Sequence, residues 1–291
     1  MSIIVGIFIF VLGACLGSFF NVVIERGKRG EDFIFKPSHC DRCQKKIHWF
    51  DNIPLLSFAI LRGKCRFCKT KIGHWHLIME VLTGGLFLVW WLVAFSSLRV
   101  NEVGVVIQTP DLINYIFWLV IATLFLVIIV ADLRYMIIPN WTLVTMLGSI
   151  LLWFTWLAFD PSLRAEGTVI SSSTLLFGAL AGLLASGFFY LLDIVALKIW
   201  KKPGMGMGDV KLVFVLAILI FLSTSSPWQM LFLMLMTAFF SGAAVGILVK
   251  IFSKKRGKAV NVVPFGPFLI LGTIVALVWG RQLLEFYINL I

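Results

Sequence analysis

The sequence predicts an all-α, polytopic membrane protein with about eight transmembrane helices and a small cytoplasmic insert between helices 1 and 2. Hydrophobic residues make up 60% of the 291 residues and charged residues only 13%, whereas about a quarter of a soluble domain is charged. Several uncharged apolar runs are long enough to cross a hydrocarbon core of about 30 Å. The chain therefore divides into helix 1 at 1–24, a polar insert at 25–76 and a membrane domain of about seven helices at 77–291.

Helix positions follow from the apolar runs. The run at 229–249 has no charged residue and gives the strongest signal, whereas the run at 210–223 is short and gives the weakest. The first run has no basic segment before it and no A-x-A site after it, which indicates a retained helix and not a cleaved signal peptide. The expected helices are 3–24, 77–97, 113–131, 141–159, 173–197, 210–223, 229–251 and 265–281.

The distribution of Lys and Arg predicts the orientation in the membrane. The odd-numbered connections hold 22 of the 25 Lys and Arg residues, and only Arg99, Arg164 and Arg281 fall on the other side. Because basic loops stay in the cytoplasm, the insert is predicted inside and both termini outside. The net charge of +11 therefore reflects topology and attraction to the lipid bilayer, and it does not indicate nucleic-acid binding. These basic connections are 25–76, 132–140, 198–211 and 250–262.

The insert contains two Cys-x-x-Cys pairs, Cys40 with Cys43 and Cys65 with Cys68. Four thiolates at this spacing can close a tetrahedral zinc site. About fifty residues bury too little apolar surface to fold firmly alone, so bound zinc would supply folding free energy. A catalytic zinc would need an open position, so the predicted site is structural. Two pairs of free thiols are the alternative.

Two acidic residues lie at the cytoplasmic ends of apolar helices. Asp132 follows the run 116–131, and Asp209 ends the glycine-rich stretch that begins at Gly204. Two close carboxylates share one proton at neutral pH, which provides a general base for water and a general acid for a leaving amine. Gly206 and Gly208 would let an extended peptide approach the acid. The alternative is that each Asp caps a helix or pairs with a lysine.

Three further charged residues have structural interpretations in the sequence. Glu80 could contact the insert, and Asp193 could pair with Lys198 about one turn along the same helix. Lys211, two residues beyond Asp209, could orient that carboxylate.

Segments along nearly the whole chain resemble the type IV prepilin peptidases, membrane aspartyl proteases of the GxGD type. Asp132 with Ile138-Pro139 resembles the segment of the first catalytic aspartate, and Gly206-Met-Gly-Asp209-Val-Lys211 resembles the second. The other matching segments are Gly17-Ser-Phe-Phe-Asn-Val-Val-Ile24 with Arg26, Cys40-x-x-Cys43, Asn52-Ile-Pro54, Ser57, Leu61-Arg-Gly-Lys-Cys65-x-x-Cys68 and Val263-Pro-Phe-Gly-Pro-Phe268.

This resemblance implies a multi-pass protein of the bacterial inner membrane. The implied reactions are cleavage of the basic leader from type IV prepilins and pseudopilins, and N-methylation of the new N-terminus with S-adenosylmethionine. Asn21, Arg26 and Glu80, near the junctions of helices 1 and 2 with the insert, are the methyltransferase candidates. The chain departs from the family at Asn140, where an acid is usual, at His74–Met79, where Tyr-Pro is usual, and after Arg26, where Gly-Lys replaces Leu-Pro.

Two other classes of protein compete with a peptidase. Intramembrane acids also serve ion-coupled transporters, but the chain has no convincing internal repeat, and Asp132 and Asp209 lie at the cytoplasmic edge. A structural zinc-bearing subunit would leave the glycine-rich approach to Asp209 unexplained. The sequence carries no signal for which prepilins are cut or for an oligomeric state.

Overall fold

A computed structural model describes residues 2–30, 38–40, 42–97, 109–159, 172–201, 204–255 and 263–289. These residues are helical apart from turns and two isolated bridges in the insert. Arg99 and Arg164, two of the three basic residues predicted on the outer side, lie outside the described residues. The helices are α1 (Ser2–Arg29), α2 (Leu56–Ile60), α3 (His74–Ser97), α4 (Thr109–Tyr135), α5 (Asn140–Phe159), α6 (Ser172–Trp200), α7 (Met207–Ser223), α8 (Pro227–Lys255) and α9 (Gly266–Ile288).

Eight long helices lie where the apolar runs predict them, and α2 is an additional five-residue helix within the insert. Seven helices of the described residues are long and apolar enough to span a membrane. Many apolar side chains on them face outward, including Leu152 at 73% exposure and Phe240 at 74%. Outward Leu and Phe side chains suit a lipid environment, because lipid tails solvate them as well as a protein core does.

Helix α7 is the exception among the long helices. It has 17 residues, about the minimum for a span, and its side chains from Leu212 to Leu222 are nearly all buried. Neighbouring helices α5, α6, α8 and α9 contact it. The weak sequence signal at 210–223 therefore marks a helix enclosed by protein.

Two helix boundaries differ from the prediction by five residues or more. Helix α1 continues to Arg29, five residues into the predicted insert, and α9 continues to Ile288. The apolar pattern marks only the hydrocarbon-facing part of a helix. The last turn of α1 carries Arg26, Lys28 and Arg29, and basic residues there favour continued helix because they offset the negative end of the helix dipole.

The chain forms two compact units, residues 1–126 and 127–291. In the first unit, α1 packs closely on α3 through glycines. A Cβ atom at Gly17 would lie 2.7 Å from the Met79 carbonyl oxygen, and one at Gly13 would lie 2.7 Å from that of Thr83. Small residues four apart allow such close backbone contact between membrane helices. This packing sets the position of Glu80 at the start of α3.

Close helix packing also shapes the second unit. On α6, a Cβ atom at Gly182 would lie 2.9 Å from the carbonyl oxygen of Phe214 in α7. The rings of Phe189, Phe239 and Phe265 form a cluster with centroids 5.6–6.0 Å apart. Phe265 immediately precedes α9, so this cluster fixes where that helix begins.

Candidate active site and metal centre

Asp132 lies near the end of α4 and is 5% exposed. Its Oδ2 accepts a hydrogen bond of 3.0 Å from the backbone N–H of Gly266, the first residue of α9. The first amides of a helix have no partner within that helix and carry its positive dipole end, so they suit a carboxylate. Among the described residues, the partner of the Asp132 carboxylate is thus a backbone amide and not a basic side chain.

Gly266 is a site residue whose contact the sequence did not predict. A Cβ atom there would lie 2.6 Å from Asp132 Oδ2, well inside ordinary contact distance. The sequence signal was the Phe-Gly-Pro segment, but nothing in it named Asp132 as the partner. The residue must therefore be glycine for the carboxylate to reach the amide.

Changing Gly266 to Ala is expected to lower the rate of peptide cleavage about tenfold or more, because Asp132 must shift and lose its hydrogen bond. Gly246→Ala is the matched control, since a Cβ atom at Gly246 meets nothing within 4 Å. The measurement is the initial cleavage rate of purified proteins. Equal rates for Gly266→Ala and the control would contradict this account of the site.

Asp209 is the third residue of α7 and is 8% exposed. Its Oδ2 accepts a hydrogen bond of 3.3 Å from the backbone N–H of Gly206, the residue before the helix. A Cβ atom at Gly208 would lie 3.1 Å from the Ile138 side chain. Gly206 therefore holds the carboxylate, and Gly208 permits close packing against Ile138; their supporting role in catalysis stays a prediction.

Asp132 and Asp209 lie close enough for their charges to interact. Ile138 forms a common wall, because its side chain lies 3.1 Å from a Cβ atom built at Gly208 and 3.4 Å from one built at Gly266. Two carboxylates so close together are the arrangement in which a dyad that shares one proton can form. The structure thus brings together the two acids that lie at separate helix ends in the sequence.

Asp193 contacts the loop that leads to Asp209, and not Lys198 as the sequence suggested. Its Oδ1 accepts hydrogen bonds from the backbone N–H groups of Gly204, at 2.8 Å, and Met205, at 3.1 Å. Gly204 also lies against α6, where a Cβ atom would be 2.6 Å from that of Ala196. Two amides make a stronger partner for a carboxylate than one exposed lysine does. Asp193 thus anchors the loop directly before Gly206.

Removing the Asp193 side chain, by Asp193→Ala, is expected to slow cleavage about tenfold because the loop amides lose their acceptor. Asp193→Asn should stay within about threefold of the wild type, since its carbonyl oxygen can accept both hydrogen bonds. Cleavage rates of the two variants check this. Full activity of Asp193→Ala would show that the anchor does not matter.

Within the part of the chain that the structure describes, Lys211 contacts no aspartate. Its Nζ donates a hydrogen bond of 3.2 Å to Asn140 Oδ1 on the exposed surface. Asn140 is the position where the sequence departs from the usual acid. Because this pair ties the beginning of α7 to that of α5 at the surface, the expected cost of losing Lys211 is small.

The four cysteines of the insert converge on one point. Their Sγ atoms all lie within 4.8 Å of one another, and those of Cys40 and Cys68 are 3.7 Å apart. A zinc ion with Zn–S bonds of about 2.3 Å needs sulfur atoms about 3.8 Å apart. The observed spacing therefore fits four thiolate ligands around one ion.

The two cysteine turns are equivalent structures 25 residues apart. Cys40 N–H donates to the Lys45 carbonyl, and Cys65 N–H donates to that of Thr70. The residues after Cys43 and Cys68 both have φ of 57°, a left-handed conformation that lets the chain turn back. The isolated bridges, His39 with Lys46 and Lys64 with Lys71, follow the same register. Each turn thus presents two sulfur atoms in the same way, as a shared metal requires.

Neighbouring side chains support the second turn. Arg66 donates two hydrogen bonds to the Asp51 carboxylate, at 2.7 and 2.5 Å, and these lower the pKa of Asp51. A hydrogen bond with the Thr70 side chain is the main reason that the pKa of the Cys68 thiol falls to about 6. Burial raises the pKa of Cys40 to about 11.

The three methyltransferase candidates all lie in the first unit, where α1, the insert and α3 meet. Asn21 is fully buried, and Arg26 and Glu80 are each 7% exposed. The Asn21 amide nitrogen lies 2.6 Å from His76 Nδ1, and Glu80 Oε2 accepts a hydrogen bond of 2.8 Å from Leu55 N–H. Arg26 and Glu80 also line a cavity of about 270 Å³. The sequence placed these residues near one another but did not identify His76.

Two protein-family models match the chain. The Bacterial Peptidase A24 N-terminal domain matches residues 11–94, and the Type IV leader peptidase family matches residues 119–247. The second match contains Asp132 and Asp209, and the first contains the four cysteines. No solved structure matches the chain.

Curated relatives agree with these matches, and each is named a prepilin leader peptidase/N-methyltransferase. The Myxococcus xanthus protein is 33% identical over 252 residues, which are 86% of this chain and 65% of the relative. The Stutzerimonas stutzeri protein is 28% identical across 96% of this chain and 92% of its own length. The Bacillus subtilis protein is 27% identical across 97% of each. With its motifs in order and both family models matched, the chain belongs to the type IV leader peptidase family.

Proposed function

We propose that this protein is a membrane aspartyl endopeptidase that removes the basic leader from type IV prepilins and pseudopilins. The observation that carries the proposal is the pair of buried carboxylates, Asp132 and Asp209, each held by a glycine amide beside a helix N-terminus. The names of the curated relatives supply the substrate class. The transporter alternative has no support in the comparisons.

The proposed chemistry needs one proton shared by two acids. The ionised carboxylate takes a proton from water, and the water oxygen bonds to the carbonyl carbon of the peptide bond. The protonated carboxyl then gives its proton to the departing nitrogen as the C–N bond breaks. The four cysteines have no part in these steps, and the zinc they would bind is structural.

The reaction is proposed to occur at the cytoplasmic face of the inner membrane. The positive-inside distribution supports a cytoplasmic position for the insert, the basic connections and the ends of the helices that carry Asp132 and Asp209. A prepilin would present a helical hydrophobic segment with its basic leader on the same side. Since most Lys and Arg also lie on this face, the two aspartates would provide the local attraction for the leader.

The second proposed activity is transfer of a methyl group from S-adenosylmethionine to the new N-terminus. It would belong to the first unit, with Asn21, Arg26 and Glu80 as the candidate residues. The names of the relatives and the cavity between α1, the insert and α3 support this assignment. Zinc would hold the insert side of that cavity in place.

The peptidase proposal can be tested in vesicles that contain the purified protein and a prepilin. Cleavage should require a leader exposed on the side of the insert and should slow when leader lysines become glutamine. Proton and sodium flux across the membrane are measured in the same vesicles. Ion flux without any cleavage would favour the transporter and contradict the peptidase.

A further inference from the structure

Large apolar side chains are exposed on the insert, although it is the main polar block of the chain. In its described part, six of them have exposed fractions between 39% and 80%, and Trp49 has the largest. Single apolar residues on a surface are ordinary, whereas a continuous group of them marks a contact with a protein or a membrane. We call this group the apolar surface of the insert, and it consists of Trp49, Phe50, Ile53, Leu56, Ile60 and Phe67.

The aromatic members of this surface are joined by ring contacts. The ring of His48 contacts two of them, with centroid distances of 5.2 Å to Phe50 and 5.7 Å to Phe67. The ring of Trp49 meets that of Phe50 edge-on, with centroids 5.7 Å apart. These contacts make the aromatic residues a continuous group on the outside of the insert.

The short helix α2 adds two aliphatic residues to this surface. Leu56 and Ile60 are four residues apart, so they lie on the same side of the helix, and they are 54% and 66% exposed. The buried Ser57 of α2 donates a hydrogen bond of 2.8 Å from Oγ to the carbonyl oxygen of Phe50. This bond ties α2 to the 3₁₀-helix Trp49–Asn52, so the aliphatic and aromatic residues lie on directly bonded elements.

The same part of the insert is strongly basic. Residues 42–73 contain eight Lys and Arg residues, all of them exposed, and one acid, Asp51. Two of the cations lie directly over aromatic rings of the apolar surface. Lys45 Nζ is 5.0 Å from the ring centroid of Phe67, and the Arg66 guanidinium, which also pairs with Asp51, is 5.2 Å from that of Phe50. Such a surface fits a partner that combines apolar groups with negative charge.

The position of the insert in the chain favours a lipid bilayer as that partner. The insert joins the ends of α1 and α3, which are both long and apolar enough to span a membrane, so it begins and ends at one bilayer surface. Trp is enriched at the membrane–water interface, and Lys and Arg are attracted to the anionic lipids of the cytoplasmic leaflet. A protein partner would need an acidic surface, and the basic leader of the proposed substrate does not provide one.

We propose that the apolar surface of the insert lies in the interface of the cytoplasmic leaflet, and that the surrounding Lys and Arg residues bind the phosphate groups of anionic phospholipids. The proposal rests on the cytoplasmic position of the insert proposed above and goes beyond both proposed activities. The insert is then a peripheral membrane module that spanning helices hold at both ends. Ile53 and Phe67 also line the cavity of the first unit, so this contact would keep that cavity at the bilayer surface.

The test replaces Trp49 with the photoreactive residue p-benzoylphenylalanine in the full-length protein, which is then reconstituted in lipid vesicles. One kind of vesicle contains phosphatidylcholine alone, and the other contains a mixture of phosphatidylcholine and phosphatidylglycerol. After illumination, mass spectrometry identifies the molecule to which position 49 has bonded. We expect phospholipid adducts that are about fivefold or more abundant in the anionic vesicles, the scale of one basic residue near an anionic surface.

Two controls separate the contributions of lipid and charge. The photoreactive residue at position 152 should form lipid adducts equally in both kinds of vesicle, because Leu152 is 73% exposed on the spanning helix α5. Lys64→Gln combined with Lys71→Gln, at two residues paired in an isolated bridge, should lower the adducts at position 49 in anionic vesicles about fivefold. Lys198→Gln combined with Lys201→Gln removes the same charge from the second unit and should leave those adducts unchanged.

Bonding of position 49 to a protein would overturn the proposal, whether that protein is a second copy, another part of the same chain or an added prepilin. Equal amounts of lipid adduct at position 49 in the two kinds of vesicle would also overturn it, because the basic residues would then have no part in the contact. Zinc content near the wild-type value verifies that the insert stays folded. The photoreactive residue at position 60 repeats the measurement on α2, where Ile60 is 66% exposed.

Discussion

Replacing either Asp132 or Asp209 with Asn is expected to reduce prepilin cleavage by about a thousandfold or more. Asn has nearly the same shape as Asp but can neither hold nor release the shared proton, so both the activation of water and the protonation of the amine fail. Asn can still accept from the Gly266 or Gly206 amide, which should preserve the local fold. The measurement is the single-turnover cleavage rate of each purified variant.

The losses of cleavage rate caused by the two substitutions should not be additive. Because the carboxylates act as one unit, the double variant should be about as inactive as either single variant. Zinc content and methylation of a pre-cleaved pilin should stay near wild-type values and thereby report intact protein. Substantial cleavage by either single variant would refute the dyad, even though the family membership would stand.

Removal of the metal site should have the second largest effect, and it should act on methyl transfer instead of peptide cleavage. Cys40→Ser is expected to lower bound zinc from about one equivalent to less than about a tenth, since a structural site needs all four thiolates. Zinc binding supplies on the order of 10 kcal/mol to small zinc domains. The insert should therefore lose its fold, and methyl transfer should fall about a hundredfold.

Metal analysis, thermal melting and the two activities check this expectation together. Cys15→Ser is the control, because Cys15 lies in α1 apart from the four converging sulfur atoms. Less than about half an equivalent of zinc in the wild-type protein would contradict the metal site. Cleavage that stopped on chelation while the insert remained folded would indicate a catalytic metal instead.

Two kinds of feature could be predicted from the sequence: charged residues whose position near the membrane interior costs free energy, and residues whose spacing is specific to one kind of site. Asp132 and Asp209 stand out because acids near an apolar span are expensive and therefore need a reason. The spacing of the two Cys-x-x-Cys pairs by itself predicts a tetrahedral site of four thiolates. The helices followed from apolar runs long enough to span a bilayer, and even the weak run at 210–223 proved to be helical.

The contacts around these residues could not be predicted, because they join distant parts of the chain. The Gly266 amide lies 134 residues from Asp132, and no local pattern pairs them. Asp193 binds loop amides that have no sequence signature, so the nearby Lys198 looked like its partner. Likewise, the end of α1 depends on the charges of its last turn and not on its apolar pattern.

Intact-mass analysis of a prepilin incubated with the purified protein tests the central claim most directly. The incubation contains a strong chelator, in parallel samples with and without S-adenosylmethionine. With wild-type protein, we expect the prepilin to lose the mass of its leader in both samples, at early times when the insert still holds its zinc. With Asp209→Asn, we expect no cleavage. In metal-replete samples, S-adenosylmethionine should add the mass of one methyl substitution to the cleaved product. Cleavage by Asp209→Asn at the wild-type rate, or an uncut prepilin with wild-type protein, would contradict the account.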